Sequence, residues 1–168
     1  MIPQNLIDLA RQIAPRHGLD PALVCAVIEQ ESGGDQWALR FEPQFYFHYV
    51  MPLKLLDMTE ATARAFSWGV MQVMGQTARE AGFGFDDSNP KTKTSPVISL
   101  AALCDPANGI EVGCTVLANK MAVAKENTPP GSLDPGDIVA HGLQLWNGGG
   151  NPQYASQVLA RLSNYSQI

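Results

Sequence analysis

The stretch DPALVCAVIEQESGG, residues 20–34, contains the start, the body and the end of one helix. Asp20 is a suitable N-cap, Pro21 suits the first helical position, and the two closing glycines suit the exit. Apolar residues between them recur at helical spacing, namely Leu23, Val24, Val27 and Ile28. Glu31 continues that apolar stripe, whereas Glu29 lies about 200° away round the helix and is expected to face solvent. The helix therefore carries a carboxylic acid on its core-facing side.

A buried acid at the end of a helix has a raised pKa for two reasons. Burial removes the hydration of the charged form, and the partial negative charge at the helix C-terminus disfavours a second negative charge. A carboxyl group that stays protonated near neutral pH can protonate a leaving oxygen, which is the task of the general acid in glycoside cleavage. The alternative is a glutamate whose side chain turns out to solvent at a frayed helix end. The stripe alone does not separate these two interpretations for Glu31.

Length and composition describe an ordinary globular chain. With 168 residues, of which 45% are hydrophobic and 16% charged, the sequence suits one domain spanning residues 1–168. A formal net charge of −5 and a pI near 5.0 argue against nucleic acid or an anionic membrane as the main partner. No apolar run approaches the roughly 20 residues of a membrane span, and the N-terminus lacks the pattern of a signal peptide. We therefore expect export by another route or a leader already removed.

Helical signals continue along the rest of the chain. An amphipathic helix near the N-terminus is closed by Gly18. Later helices are expected from a cap at Thr59 to about Phe66, through QTAREAG (residues 76–82), from Asp105-Pro106, from Asp134-Pro135 to LWNGGG, and from Asn151-Pro152 through Leu162. The segment SWGVMQV, residues 67–73, is short and suits a turn or a small hairpin. The predicted fold is α-rich, with at most a small β-hairpin beside the cleft.

Neither the cysteines nor the histidines show the spacing of a metal site. Cys25 shares a helix with apolar residues, which predicts a buried, reduced thiol. A disulfide between Cys104 and Cys114 is the less favoured alternative to free thiols, since spacing does not establish geometry. The histidines are scattered and are expected on the surface or in loops: His17, His48 and His141. We expect neither a metal nor a cofactor.

Five short motifs follow one another in the order found in the soluble lytic transglycosylases, which are relatives of the goose-type lysozymes. They are Glu31-Ser32 for the family's ES, Gly69-Val70-Met71-Gln72 for GLMQ, Asp105-Pro106 with Asn108 and Gly113 for DP..N....G, Leu145-Trp146-Asn147-Gly148-Gly149 for AYNAG, and Tyr154 with Val158 for Y...V. Each motif is weak by itself, but five in family order across residues 20–162 are strong evidence. The chain thus resembles this family over nearly its whole length, and the resemblance implies a lysozyme-like fold.

The resemblance implies an enzyme that cleaves peptidoglycan in the cell wall, in the periplasm or outside the cell. Glu31 would protonate the glycosidic oxygen between N-acetylmuramic acid and N-acetylglucosamine, and Ser32 of the same motif would contact substrate. Glu31 would then accept a proton from the muramoyl 6-hydroxyl as that oxygen attacks the anomeric carbon. The product in this family is a 1,6-anhydro sugar and no water is consumed, which suits a site with one essential carboxylate.

The motifs also imply further substrate-binding residues. Met71 and Gln72 would line the cleft beside the acid, and Asn147 would lie near the sugar ring. Tyr154 would place its hydroxyl close to the catalytic carboxyl. Trp146 stands where the family has tyrosine, and an indole stacks well on a sugar but can only donate a hydrogen bond.

The segment RFEPQFYFHY concentrates five aromatic side chains within nine residues. Three of them are four residues apart, a spacing that favours core packing over a sugar platform: Phe41, Phe45 and Tyr49. Tyr46 or Phe47 is then the better candidate for a sugar contact.

Charged residues in this region leave a choice of mechanism open. Arg40 and Glu42 flank the aromatic segment and either reach the cleft or form a solvated ion pair. Glu42 is the best candidate for a second carboxylate, with Asp35 behind it. If either positioned a water, the enzyme would be a hydrolase of the goose-lysozyme type instead.

A catalytically silent wall-binding or assembly module is a third interpretation. The complete set of Glu31, Gln72, Asn147 and Tyr154 argues against it. The sequence has neither a wall-binding repeat nor a basic patch, so we expect a partner or a tether to deliver a monomeric enzyme. A phage or prophage product, or a component of an envelope-spanning machine, would fit.

Overall fold

Helices dominate the computed structural model, which describes residues 1–85, 96–127 and 135–167. The helices run over Gln4–Ile13 (α1), Pro21–Glu31 (α2), Pro43–Phe45 (α3), Met58–Arg64 (α4), Gly75–Glu80 (α5), Pro106–Glu126 (α6), Pro135–Asn147 (α7) and Tyr154–Arg161 (α8). Between and after them lie 3₁₀ turns at Ala14–His17, Met51–Leu53, Leu100–Cys104 and Leu162–Tyr165, and a π turn at Tyr46–Val50. The strands are Leu39–Phe41 (β1), Phe66–Trp68 (β2) and Val73–Met74 (β3). The predicted α-rich fold class is confirmed, and no described helix has the length and apolarity that a membrane span requires.

Helix α2 lies in the middle of the core. Asp20 caps it as predicted, because its side chain accepts a hydrogen bond from the Ala22 N–H at 2.9 Å. All six residues from Leu23 to Ile28 are buried. Helix α1, helix α8 and the last 3₁₀ turn all contact α2, so the stripe predicted for one side belongs to a helix that is covered nearly all round.

The expectation that Glu29 faces open solvent is wrong. The last 3₁₀ turn packs against α2, and the Tyr165 hydroxyl donates to Glu29 Oε2 at 2.7 Å. Burial by itself would raise the pKa of Glu29, but hydrogen bonds from Tyr165, the chain's amino group and Asn164 together outweigh it and lower the pKa. Helical periodicity gives the side of a helix on which a residue lies, and it does not say which distant segment covers that side.

The three strands form one antiparallel sheet in the order β1-β2-β3. Strands β2 and β3 are the small hairpin that SWGVMQV suggested, and β1 adds a third strand from the aromatic segment, where the sequence indicated none. Gly69 lies in the connecting turn with a φ of +64°, and a Cβ at this position would be 2.4 Å from the Leu103 carbonyl oxygen. Only glycine accommodates both the backbone conformation and the close approach.

Several helix ends follow the predicted local signals. Gly18 closes the first helical segment in the left-handed conformation, with a φ of 68°. Asp105 caps α6, since its side chain accepts hydrogen bonds from the N–H groups of Ala107 and Asn108. The expected cap of α7, Asp134, lies outside the described residues.

Two predicted helix starts are corrected. The cap of α4 is Asp57 and not Thr59, because the Asp57 carboxylate accepts the Thr59 N–H at 2.8 Å. The last helix begins at Tyr154 and not at Asn151. The Asn151 side chain accepts the Gln153 N–H at 3.0 Å, so this asparagine forms a turn before the helix.

The three cysteines, all in described parts of the chain, are buried and free. The reduced state expected for Cys25 is confirmed, and the alternative disulfide between Cys104 and Cys114 is not formed. Burial raises the pKa of Cys25 and of Cys114 to about 12. Their thiols therefore stay protonated at neutral pH and serve as small apolar core groups.

Candidate active site

A cleft of about 650 Å³ contains Glu31, the last residue of α2, in its wall. The remaining walls come from the sheet, the segment that follows β1, helices α5 and α6, and the end of α7 with the glycines that follow it. The register of the sheet pairs Arg40 with Ser67, and both side chains belong to the cleft. The polar side of the small sheet thus faces the acid.

Two donors hold the carboxyl group of Glu31 by one oxygen. The Tyr154 hydroxyl donates to Oε1 at 2.5 Å, and the Trp146 indole N–H donates to the same atom at 2.8 Å. Among the residues that the structure describes, none forms a hydrogen bond with Oε2. Burial raises the pKa of Glu31, against the opposing effects of these two hydrogen bonds and of the Arg40 charge. The frayed-end alternative is therefore wrong: the acid is held in place and biased toward its protonated form.

The two donors come from consecutive helices near the C-terminus. Trp146 lies in the last turn of α7, and Tyr154 is the first residue of α8, with only 4% of its surface exposed. Burial and the neighbouring Glu31 carboxyl raise the pKa of Tyr154, so its hydroxyl keeps its proton and remains a donor. Between the two helices, the Asn147 side chain donates to the Asn151 carbonyl oxygen at 3.2 Å while also lining the cleft.

Gln72 lines the cleft and also holds the β2–β3 turn. Its φ of 48° is uncommon for a residue with a side chain. Its amide nitrogen donates to the carbonyl oxygens of Ala38 and Gly69, each at 2.9 Å, and its amide oxygen accepts from the Ser67 hydroxyl at 2.8 Å. These hydrogen bonds offset the cost of the left-handed backbone and fix the turn beside the acid.

Two motif residues expected in the cleft turn away from it. The Ser32 hydroxyl donates to the Val70 carbonyl oxygen at 2.8 Å and so ties the end of α2 to the β2–β3 turn. Met71 is fully buried against α6, where a Cβ at Gly113 would lie 2.3 Å from the Met71 sulfur. Neither side chain lines the cleft, so both hold the site in place from behind. A short motif identifies a turn, and it does not say which of its side chains points inward.

The aromatic segment is arranged differently from the prediction. Tyr46 packs against the small cluster around Val50, outside the cleft, while Phe45 and Tyr49 line the cleft. Tyr49 is 61% exposed and Phe41 is 41% exposed, so the expectation of core packing is wrong for both. One regular helix would have kept Phe41, Phe45 and Tyr49 on one side. The segment instead passes from a strand through a short helix into a π turn.

Arg40 and Glu42 line the cleft and form an ion pair with each other. Both interpretations of this pair from the sequence therefore apply: the two side chains reach the cleft, and they are paired with each other. Asp35, the other candidate for a second carboxylate, is exposed and accepts the Trp37 N–H at 2.9 Å, and it does not line the cleft.

Sequence reasoning missed some lining residues. Lys120 and Val116 are one turn apart on α6 and both face the cleft. Their spacing shows that they share a side of the helix, but nothing local indicates what that side faces.

The described residues contain no group of three or more histidine, cysteine, aspartate or glutamate side chains that could hold a metal ion. His17 lies 2.8 Å from a Glu111 carboxylate oxygen, and His48 contacts the Gln44 carbonyl oxygen at 2.7 Å.

The chain was compared with protein-family models, curated proteins and solved structures. Residues 8–130 match the family model described as the transglycosylase SLT domain. No curated protein and no solved structure matched. The matched range includes Glu31, the hairpin and α6, whereas α7 and α8, which supply Trp146 and Tyr154, follow it. Because the match covers well over half of the chain, and because the fold agrees with the lysozyme-like fold of this domain, the chain belongs to the SLT transglycosylase family.

Proposed function

We propose that this chain is a peptidoglycan lytic transglycosylase. It cleaves the β-1,4 bond between N-acetylmuramic acid and N-acetylglucosamine and leaves a 1,6-anhydro-N-acetylmuramic acid end. Membership of the SLT family supports action on peptidoglycan in the cell wall. The observation that carries the finer proposal is Glu31, a partly buried acid in a cleft, with one oxygen held by two donors and the other without a partner among the described residues.

In the first step Glu31 acts as a general acid. Burial raises its pKa and so favours the protonated form that a general acid needs. The proton passes from the carboxyl group to the glycosidic oxygen, and the bond between that oxygen and the anomeric carbon of the muramoyl residue breaks. N-acetylglucosamine leaves with a new hydroxyl group, and Glu31 is left as a carboxylate.

In the second step the same carboxylate acts as a base. It accepts the proton of the muramoyl 6-hydroxyl as that oxygen attacks the anomeric carbon, which closes the anhydro ring and restores protonated Glu31. No water enters the product. One carboxylate thus serves both steps, whereas ordinary glycosidases need two.

The cleft also offers groups that suit a glycan. The rings of Phe45 and Tyr49 lie with centroids 4.8 Å apart, and the exposed Tyr49 ring presents an apolar face on which a sugar ring can stack. Gln72 and Asn147 supply amide groups, which suit the hydroxyl and N-acetyl groups of the substrate. Trp146 also lines the cleft, and its N–H donates to the acid.

A muramidase that uses water is the alternative reaction, and Glu42 is the residue that would have to activate the water. Its ion pair with Arg40 argues against that role, because the carboxylate would have to leave the guanidinium to position a water. Asp35 does not line the cleft. The arrangement therefore favours the reaction without water.

The mass of the released muropeptides tests the proposal. Purified sacculi are digested with the wild-type chain and with Glu31→Gln as the inactive control, and the products are separated and weighed. We expect anhydro ends, lighter by one water than the products of a lysozyme, from the wild type alone. Hydrated, borohydride-reducible ends as the main species would replace the proposal with the muramidase. A wild-type chain that releases nothing and gives no clearing on a zymogram would indicate a silent wall-binding module.

A further inference from the structure

The two oxygens of Glu31 have different surroundings, and Trp146 is responsible for part of that difference. We propose that Trp146 is a positioning residue that, together with Tyr154, keeps Oε1 a hydrogen-bond acceptor and so confines the transferable proton of Glu31 to Oε2. This inference deepens the proposed function and rests on it, since it concerns how the same acid is regulated.

The two donors differ in their hydrogen-bonding chemistry. A tyrosine hydroxyl both donates and accepts, so Tyr154 by itself would tolerate a proton on Oε1 by rotating its own hydrogen away. An indole N–H can only donate. If Oε1 carried the proton, the hydrogen bond from Trp146, at 2.8 Å, would be weakened and could not reverse direction. Trp146 thus disfavours the arrangement that Tyr154 permits, and the proton is directed to the oxygen available to the substrate.

The same hydrogen bond opposes the effect of burial on the acid. Burial raises the pKa of Glu31, and the hydrogen bonds from Tyr154 and Trp146 and the Arg40 charge lower it. The other charged or titratable groups in the cleft are Glu42 and Tyr49 after β1 and Lys120 on α6. Without the indole donor, one of the effects that lower the pKa of Glu31 is lost, so burial raises this pKa further. The acid should then keep its proton to a higher pH and, as a weaker acid, transfer it less readily to the glycosidic oxygen.

The direct test is the titration of Glu31 in Trp146→Phe, which removes the N–H and keeps an aromatic ring. The carboxyl group is followed by infrared difference spectroscopy, with the spectrum of Glu31→Gln subtracted to isolate its signal. We expect the midpoint to rise by about one pH unit, the order that one hydrogen bond to a charged group supports. An unchanged or lowered midpoint in a folded variant would overturn the inference.

A replacement that keeps the shape of the indole covers the case in which Trp146→Phe does not fold. If circular dichroism shows that Trp146→Phe is not folded, site-specific replacement of the indole by a benzothiophene removes only the N–H. The same rise of the midpoint is expected there, and its absence counts against the inference in the same way. Trp146→Tyr, which restores a donor, should return the midpoint toward that of the wild type. A Tyr variant that titrates like the Phe variant would contradict the role of the donated bond.

Kinetics provide a second readout that a merely structural role would not move. In Trp146→Phe the alkaline limb of the kcat/KM profile on sacculi should shift to higher pH together with a lower maximum. A lower maximum with an unmoved limb would mean that Trp146 only supports the fold. Trp68→Phe is the matched control, because the Trp68 indole N–H donates to the Ala63 carbonyl oxygen at 2.9 Å away from the cleft. Its limb should not move.

The two experiments separate two kinds of failure. A wild-type chain without anhydro products would refute the proposed function, and the infrared titration would still judge the role of Trp146. An active wild-type chain whose Glu31 midpoint is insensitive to Trp146→Phe would refute the inference alone.

Discussion

Glu29 and Glu31 lie two positions apart on α2, and the protein shifts their pKa values in opposite directions, down for Glu29 and up for Glu31. Each accepts a hydrogen bond from a tyrosine hydroxyl, at 2.7 Å from Tyr165 and at 2.5 Å from Tyr154. Burial acts on both in the same upward direction. A tyrosine partner therefore does not decide whether a partly buried glutamate is a structural anion or a proton donor.

Two differences accompany the opposite shifts: Glu31 is the more deeply buried acid, and the donors are distributed differently over the two oxygens. At Glu29, the chain's amino group donates to Oε1, and Tyr165 and Asn164 donate to Oε2. Both oxygens are therefore occupied, and the charged form is stabilised. At Glu31 both donors meet Oε1, and burial prevails. An acid with one oxygen held and the other available can both release a proton and take one back.

The largest expected effect is the loss of activity in Glu31→Gln. The amide keeps the shape and removes the ionisable group, so the rate on sacculi should fall by about 10²–10⁴-fold, the range that general acid–base catalysis contributes. Glu29→Gln is the matched variant on the same helix and should keep wild-type activity. Release of soluble muropeptides over time measures both.

Equal activity losses in the two variants would contradict the different roles assigned to Glu29 and Glu31. They would mean that α2 as a whole, and not the acid at its end, limits the reaction. A Glu31→Gln variant with wild-type activity would show that Glu31 is not the general acid.

The next effect in size concerns the two tyrosines. Tyr154→Phe should slow turnover by about tenfold or more, because a hydrogen bond to a charged acceptor is worth about 1.5–3 kcal/mol. Tyr165→Phe should leave activity unchanged and lower the free energy of unfolding by about 1–2 kcal/mol. This tyrosine is 1% exposed, donates to Glu29 and accepts the Ile2 N–H. Assays on sacculi and urea melts of both variants separate the two roles. A reversal of the two patterns would contradict the assignment of Tyr154 to the reaction and of Tyr165 to stability.

Features that depend on neighbouring residues could be predicted from the sequence. Asp20 and Asp105 cap helices as expected because a cap and the N–H groups it satisfies lie within one turn. The hairpin at SWGVMQV could be predicted for the same reason, because its turn is formed by residues adjacent in sequence. The motif order indicated the family, and the family model confirms it.

Features that depend on distant packing could not be predicted. Glu29 was expected in solvent because nothing near it in sequence reveals the turn that ends at Tyr165. The donated bond from Trp146 to Glu31 joins residues 115 positions apart. Tyr46 was expected to contact the sugar and Tyr49 to lie in the core, but Tyr49 lines the cleft and Tyr46 does not. The segment contains a π turn, which periodicity does not reveal.

The smallest expected effect, and the finest test of the comparison, is the pH dependence of stability. A folded pKa above the unfolded value of about 4.3 means that native Glu31 binds more protons than the unfolded chain between those two values. Wild-type stability from this group is thus fully present below about pH 4.3 and declines as pH rises through the folded pKa. Glu31→Gln should therefore be more stable than wild type at pH 7, with the gap closing toward pH 4.

The sign reverses for Glu29, whose folded pKa is lowered. Its contribution is present above the unfolded pKa of about 4.3 and is lost as pH falls through the folded value. Glu29→Gln should therefore be less stable than wild type at pH 7. A folded pKa displaced by one unit corresponds to about 1.4 kcal/mol in either direction. Thermal melts of the three proteins from pH 4 to pH 8 should place wild type between the two variants at neutral pH. If both variants fall on the same side of wild type there, donor placement on the two oxygens does not explain the opposite behaviour of these glutamates.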